Sequence, residues 1–165
     1  MFKVATADLW DSHGEALHCV DPIFRVFGKK KSFFGPISTI RCFEDNSFVR
    51  TQLSTPGLGH VLVIDGGASL KCALVGDQLA ALAIENGWAG LIINGCIRDS
   101  TVINQMDIGI RALNTCPVKS IKRNQGESDL PVKFASTIFE PGDYLYTDED
   151  GILVSKELLD LQTRE

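Results

Sequence analysis

The chain has 165 residues, 44% of them hydrophobic and 22% charged, with a formal net charge of −5. Those proportions are ordinary for a folded globular protein, and the length suits one domain with its own core. A net negative chain speaks against a general nucleic-acid binder, which needs clustered Lys and Arg to neutralise phosphates.

The opening "MFKVATADLW" lacks an apolar core of signal-peptide length, and no stretch approaches a membrane span. Cys19, Cys42, Cys72, Cys96 and Cys116 are odd in number, form no C-x-x-C and sit in apolar sequence. The expectation is reduced, mostly buried thiols in a cytoplasmic protein. Cys96, close to Arg98, is read as packing in preference to a nucleophile, because no His lies nearby in sequence.

In chain order, Thr6 or Asp8 caps a short helix whose buried side begins with Leu9 and Trp10. His13 and His18 have no acidic partner at zinc-ligand spacing and read as solvated or hydrogen-bonded. The basic run Lys29-Lys30-Lys31 reads as a solvated loop. The segment "GPISTIRCFEDNSFVRTQL" alternates at Ile37, Thr39 and Arg41 like a strand, then turns at Glu44-Asp45-Asn46. Next comes "HVLVIDGG", an almost continuous apolar run typical of a strand buried on both faces and hence parallel.

Ser69 is placed to cap a helix carrying Leu70, Ala73 and Leu74, which Gly76 interrupts. A second helix, from about Asp77, carries Leu79, Leu82 and Ala83 on one side and stops at Asn86-Gly87. A strand from Leu91 to Ile97 then runs out into Arg98-Asp99. Downstream, "NQMDIGIRALNTCPVKSIKRNQGESDLPVKF" mixes a helical turn with short strands and loops. "EPGDYLYTDEDGILVS" reads as a turn, a strand, an acidic turn at Asp148-Glu149-Asp150-Gly151 and a last strand. "KELLDLQTRE" reads as a polar helical tail. No repeat or linker divides the chain, so residues 1–165 are expected to form a single α/β domain.

In a right-handed β-α-β unit the helix runs opposite to its flanking strands. A helix of about ten residues spans roughly 15 Å, and the returning strand covers on the order of 20 Å. The strand end at Arg98-Asp99 therefore returns beside the helix start at Asp77. There the first N–H groups of the helix attract anions, and Gly76 permits close approach while Gln78 and Leu79 offer donors. Arg98 suits a carboxylate, and Asp99 is a hard oxygen ligand of the kind Mg²⁺ accepts. The alternative reading makes Asp77 a helix-start acid and Arg98–Asp99 a surface pair of little energetic value.

The segments "GDQLA", "NGWAG" and "GCIRD" closely resemble the class II aldolase/RraA-like family. That family includes 4-hydroxy-4-methyl-2-oxoglutarate aldolases and the regulator of ribonuclease activity A. "ATADLWD", "GPISTIRCFEDNS" and "DEDGILVS" also look like family segments, so the resemblance spans nearly the whole chain. Its most specific element is an Asp, twenty intervening residues and then Arg-Asp, which Asp77, Arg98 and Asp99 match without a gap.

The resemblance implies a compact α/β/β sandwich of swivelling-domain type and a homotrimer with sites at subunit boundaries. It further implies that the Gly76–Leu79 amides and Arg98 bind a 2-oxo acid and that Asp99 holds a divalent cation, Mg²⁺ or Mn²⁺. Asp77, through a metal-bound water, is the candidate base. The implied activity is cleavage of 4-hydroxy-4-methyl-2-oxoglutarate-type acids to pyruvate, with oxaloacetate decarboxylation through the same enolate. The alternative is a non-catalytic regulator that binds and inhibits an RNA-processing endonuclease. Longer aldolases of this kind bring an acidic residue from a neighbouring subunit's C-terminal extension, and no residue up to Glu165 is matched to it.

Overall fold

The computed structural model describes residues 3–161. Its strands are β1 Leu17–Cys19, β2 Arg25–Phe27, β3 Phe33–Arg41, β4 Val61–Asp65, β5 Ala73–Val75 and β6 Gly90–Ile97. They continue with β7 Ile110–Thr115, β8 Glu127–Ser128, β9 Val132–Phe134, β10 Thr137–Phe139, β11 Tyr144–Thr147 and β12 Ile152–Ser155. The helices are α1 Thr6–His13, α2 Ser47–Leu53, α3 Asp77–Glu85 and the short α4 Ser100–Ile103.

The apolar runs become strands buried on both faces. Leu62 and Ile64 of β4 and Leu91 and Ile93 of β6 pack with Leu79, Ala80 and Ala83 of α3 and with Val49 and Leu53 of α2. Their neighbours Val61, Val63 and Ile92 point the other way, onto Val132, Phe134, Phe139 and Leu145. This period of two follows from the pleat, and burial on both sides is why these strands show no polar alternation. Each fully buried Val, Leu or Ile contributes about 1.5–3 kcal/mol, which makes the doubly covered strands the main source of stability.

Strands β3, β4, β6 and β7 form a parallel tract in that order. β3 serves two neighbours. Ile37–Arg41 pair with β4, while Phe33–Pro36 pair antiparallel with β11, which leads on to β12 and β1. Helices α2 and α3 cover one face of the parallel tract, and the β9–β10 hairpin with β11 and β12 covers the other. The layers are therefore helix, sheet, sheet, the α/β/β order expected. α1 docks separately, through Leu9, onto Leu17, Tyr146 and Leu153.

Four local expectations are corrected. Neither Thr6 nor Asp8 caps α1: the N-cap is Ala5, and the Thr6 N–H and Oγ–H donate to the Asp148 carboxylate instead. Ala73–Val75, expected in a helix begun by Ser69, form strand β5, because the far end of β6 at Cys96 and Ile97 needs a partner beyond the reach of β4. Ser69 makes a local turn instead, its Oγ accepting the Lys71 N–H and donating to Glu44 Oε1. Trp10 is 44% exposed, so Leu9 alone of that pair faces the core. The expected tail helix is absent over residues 156–161, and its last four positions lie outside the described residues. No helix among the described residues is long and apolar enough to cross a membrane.

Gly90 opens β6 directly beneath Phe33, and a Cβ there would overlap the ring. The buried Arg111 guanidinium lies 5.1 Å from the ring centre, so the ring has little freedom to yield. Gly90→Ala is expected to cost about 1–3 kcal/mol, as overpacking of a filled core does. Urea unfolding should show the midpoint falling with the slope unchanged.

A candidate active site at the start of helix α3

The core strand β6 changes partner along its length. It pairs with β4 as far as Asn94, opposite Asp65, and with β5 at Cys96 and Ile97. β5 then runs through Gly76 into α3, and the Arg98 N–H donates to the Val75 carbonyl at 3.0 Å. That backbone bond brings the end of one strand against the start of the helix.

Gly76 is what lets them touch. A Cβ there would stand 2.8 Å from Asp99 Oδ2 and 3.4 Å from Arg98 Cγ. Asp99 adopts a left-handed backbone (φ 58°, ψ 36°), a conformation Asp tolerates better than most residues. Its Oδ2 accepts the Asp77 N–H at 3.2 Å and lies 4.0 Å from Arg98 Nε. The Arg98 and Asp99 side chains are 41% and 39% exposed, so their pairing adds little stability and leaves both open to a ligand. The next N–H groups, of Gln78 and Leu79, have no acceptor within the helix by position and carry its positive pole.

The six residues singled out in the sequence, Gly76, Asp77, Gln78, Leu79, Arg98 and Asp99, all line one cleft of about 130 Å³. Two larger hollows beside α1, of about 290 and 380 Å³, bring no arginine next to a carboxylate.

The cleft also holds residues that sequence reasoning missed: Asn46 and Arg50 from α2 and its start, and Lys119, Ser120 and Lys122 from the loop after β7. Four cations, Arg50, Arg98, Lys119 and Lys122, meet two acids, Asp77 and Asp99, so the cleft is net +2 in a chain of −5. Local charge of this sign concentrates anions whatever the total. The spacing in "KSIKR" was a visible signal, but nothing local ties that loop to α3.

Asp45 ties it. The buried carboxylate accepts the Ser47 N–H and Oγ–H at the start of α2, and the Arg123 and Gln125 N–H groups of the cationic loop. Burial opposes its charge, but those hydrogen bonds outweigh burial and hold the carboxyl below its ordinary range. Cys96 is fully enclosed, and burial, with Cys116 nearby, pushes its thiol up, which suits packing and not attack.

Among the described residues, no three His, Cys, Asp or Glu side chains gather as a metal cage. The cleft instead offers Asp99, with Asp77 beside it. That donor set fits Mg²⁺, which takes one or two carboxylates and completes its shell with water and substrate oxygens.

The model of the RraA-like family, Aldolase/RraA, matches residues 6–154. A protein of Alkalilimnicola ehrlichii that bears the provisional name 4-hydroxy-4-methyl-2-oxoglutarate aldolase is 51% identical over 157 residues, covering 95% of this chain and 98% of its own. The crystal structure of a Geobacillus kaustophilus protein named S-adenosylmethionine:2-dimethylmenaquinone methyltransferase is 47% identical, with a TM-score of 0.92 and coverage of 94% and 96%. The RNA-processing inhibitor RraA from Thermus thermophilis is 40% identical, also with a TM-score of 0.92, and 96% of each chain is covered.

Because the folded-state carboxyl of Asp45 is depressed, its stabilisation is complete above the unfolded value of about 3.9. It is lost as pH falls through the lower folded value. Asp45→Ala is expected to destabilise the fold by about 2–4 kcal/mol, through a lost cap and stranded N–H groups. Denaturant titrations between pH 2 and 6 should show that this difference shrinks in acid.

Proposed function

The chain belongs to the RraA-like family, and we propose from that premise that it is a divalent-metal-dependent aldolase. It cleaves 2-oxo acids of the 4-hydroxy-4-methyl-2-oxoglutarate type to pyruvate, and it decarboxylates oxaloacetate. The observation that carries this reading is the meeting of Asp77, Arg98 and Asp99 around Gly76 in a net cationic cleft. Both substrates are dianions bearing a 2-oxo group, which matches a surplus of fixed positive charge.

In this reading Arg98 and the Gln78 and Leu79 amides hold the 2-oxo acid end of the substrate, and Lys119, Lys122 and Arg50 attract its distal carboxylate. A divalent cation, Mg²⁺ or Mn²⁺, held at Asp99 supplies Lewis-acid polarisation of the 2-oxo group. Asp77 takes the proton of the C4 hydroxyl through a water. The C3–C4 bond then breaks, and its electron pair passes to the 2-oxo oxygen as an enolate. Arg98 stabilises that charge where it develops. Protonation at C3 gives pyruvate, and the other fragment leaves as a carbonyl compound. With oxaloacetate the departing fragment is carbon dioxide, and no hydroxyl proton is removed.

Cleft size favours such a small acid over a nucleoside cofactor with a quinone. Pockets for molecules of drug size and above run to about 300–1,000 Å³, against about 130 Å³ in this cleft. The second reading is a regulator that binds and inhibits an RNA-processing endonuclease, and it draws on the 40% identity to the Thermus inhibitor. Either role is proposed for a homotrimer in the cytoplasm, where its five free cysteines stay reduced.

Pyruvate release from 4-hydroxy-4-methyl-2-oxoglutarate and loss of oxaloacetate should both appear with Mg²⁺ or Mn²⁺ and stop with EDTA. Arg98→Ala and Asp99→Ala should each lower turnover by about 100- to 1,000-fold with the fold intact, the scale of losing one transition-state stabiliser. Metal-independent turnover, or full rates in either variant, would remove the corresponding part of the mechanism. Endonuclease inhibition by the inactive Arg98→Ala protein would establish the regulatory role separately.

A further inference from the structure

Two cations of the cleft hang from opposite edges of one strand. Ala73 of β5 pairs with Cys96 of β6 on one side and with Lys119 on the other. The Ala73 N–H donates to the Val118 carbonyl at 2.7 Å, and the Val75 carbonyl accepts the Arg98 N–H at 3.0 Å. A register shift between Ala73 and Val75 lets the two bonds face opposite ways. Strand rise and strand spacing then set the Arg98 and Lys119 backbones about 12 Å apart.

Both residues line the cleft that holds Gly76 to Leu79. Their charges are answered differently. Arg98 Nε stands 4.0 Å from Asp99 Oδ2, whereas the exposed Lys119 side chain enters no ion pair among the described residues. A cation left free at a set distance from a carboxylate-binding arginine is open to a second carboxylate.

A five-carbon diacid separates its carboxyl carbons by about 5 Å, and a hydrogen-bonded nitrogen stands about 3.5 Å beyond each. Cations that hold both ends therefore lie about 12 Å apart. Side chains rising together from the two flanks of β5 meet that requirement. Arg50 and Lys122 are carried differently, on α2 and beside the turn that Asp45 binds, away from the strand that fixes Arg98. They add to the field that draws an anion in.

We propose that Lys119 is the specificity-determining residue of the cleft, binding the C5 carboxylate of a 2-oxo acid whose C1 end lies at Arg98. Given the aldolase reading, on which this rests, the preferred substrates are 4-hydroxy-2-oxo diacids with a carboxylate on C4. When the C3–C4 bond breaks, that carboxylate leaves beside the carbonyl formed from the C4 hydroxyl. The departing fragment is then itself a 2-oxo acid. A substrate with a methyl group in that place leaves Lys119 without a partner.

Two inert five-carbon acids, 2-oxoglutarate and 2-oxopentanoate, differ only at C5 and isolate this contact. Calorimetric titration of the full-length protein with Mg²⁺ should show 2-oxoglutarate binding about 5- to 20-fold more tightly, the scale of one partly exposed charged contact. Lys119→Ala should bring the two affinities within about twofold, and Lys119→Arg should restore most of the difference. Lys122→Ala should weaken both acids and keep most of the preference. Equal binding of the two acids by the wild type, or binding of neither, overturns the proposal. So does a preference that survives in Lys119→Ala, or one that Lys122→Ala abolishes. Pyruvate release from 4-hydroxy-4-methyl-2-oxoglutarate by the same wild-type protein is read separately: its absence, with the binding preference intact, overturns the aldolase reading and leaves the carboxylate contact standing.

Discussion

The candidate site depends on one backbone hydrogen bond, from the Arg98 N–H to the Val75 carbonyl, closed over a residue with no side chain. The bond makes β5 a continuation of the sheet beside β6, so the start of α3 and the end of β6 share a corner. Gly76 sets their separation, because any Cβ would enter the space held by Asp99 Oδ2. Both constraints are properties of the main chain. They are also distant in sequence from much of what they organise, since β5 and β6 belong to a sheet stabilised mostly by Leu62, Ile64, Leu91 and Ile93. Rigid, doubly covered strands give the corner its precision, and the polar residues at their ends give it chemistry.

A second fastening adds to the first. Asp45 binds the start of α2 and the 123–125 turn with one carboxylate, and those two segments bring Arg50 and Lys122 to the same cleft. The turn contributes few apolar contacts of its own, so its position is set by hydrogen bonds to a buried charge. That division of labour has a consequence for electrostatics. Arg50 and Lys122 have exposed side chains, but the segments that carry them are tied to a group whose ionisation burial alone would disfavour. The net positive cleft is thus maintained by a negative residue.

Periodicity made the strands β4 and β6 and the helix α3 legible, because two-sided burial and a Gly-ended amphipathic run leave distinct patterns. The pairing of Asp77 with Arg98 and Asp99 was legible as well, since a right-handed crossover leaves little freedom in where the strand returns. Strand β5 was not. Ser69 to Leu74 has the local chemistry of a helix start, and only the unpaired far end of β6 decides for an extended chain. Asn46, Arg50, Lys119, Ser120 and Lys122 escaped for a related reason: their segments meet through contacts distant in sequence, Asn46 with Leu74, Asp45 with Arg123 and Gln125, and Ala73 with Lys119. Turn chemistry explained "EDN" locally and hid the fact that Asp45 acts over a long range.

The similar proteins carry names from unrelated chemistries, an aldolase, a methyltransferase and an inhibitor of RNA processing, on one fold with TM-scores of 0.92 for the solved structures. A shared fold does not choose among them. The choice has to come from groups the fold itself does not require. β5 and β6 join through backbone bonds alone, and the one side-chain bond at the corner is that of Asp99 Oδ2 with the Asp77 N–H, so neither the strand pairing nor the start of α3 calls for Arg98. The exposed pair between these side chains adds little stability. Groups that stability would discard, gathered with four cations in a cleft scaled to a small acid, are better explained by a ligand than by packing.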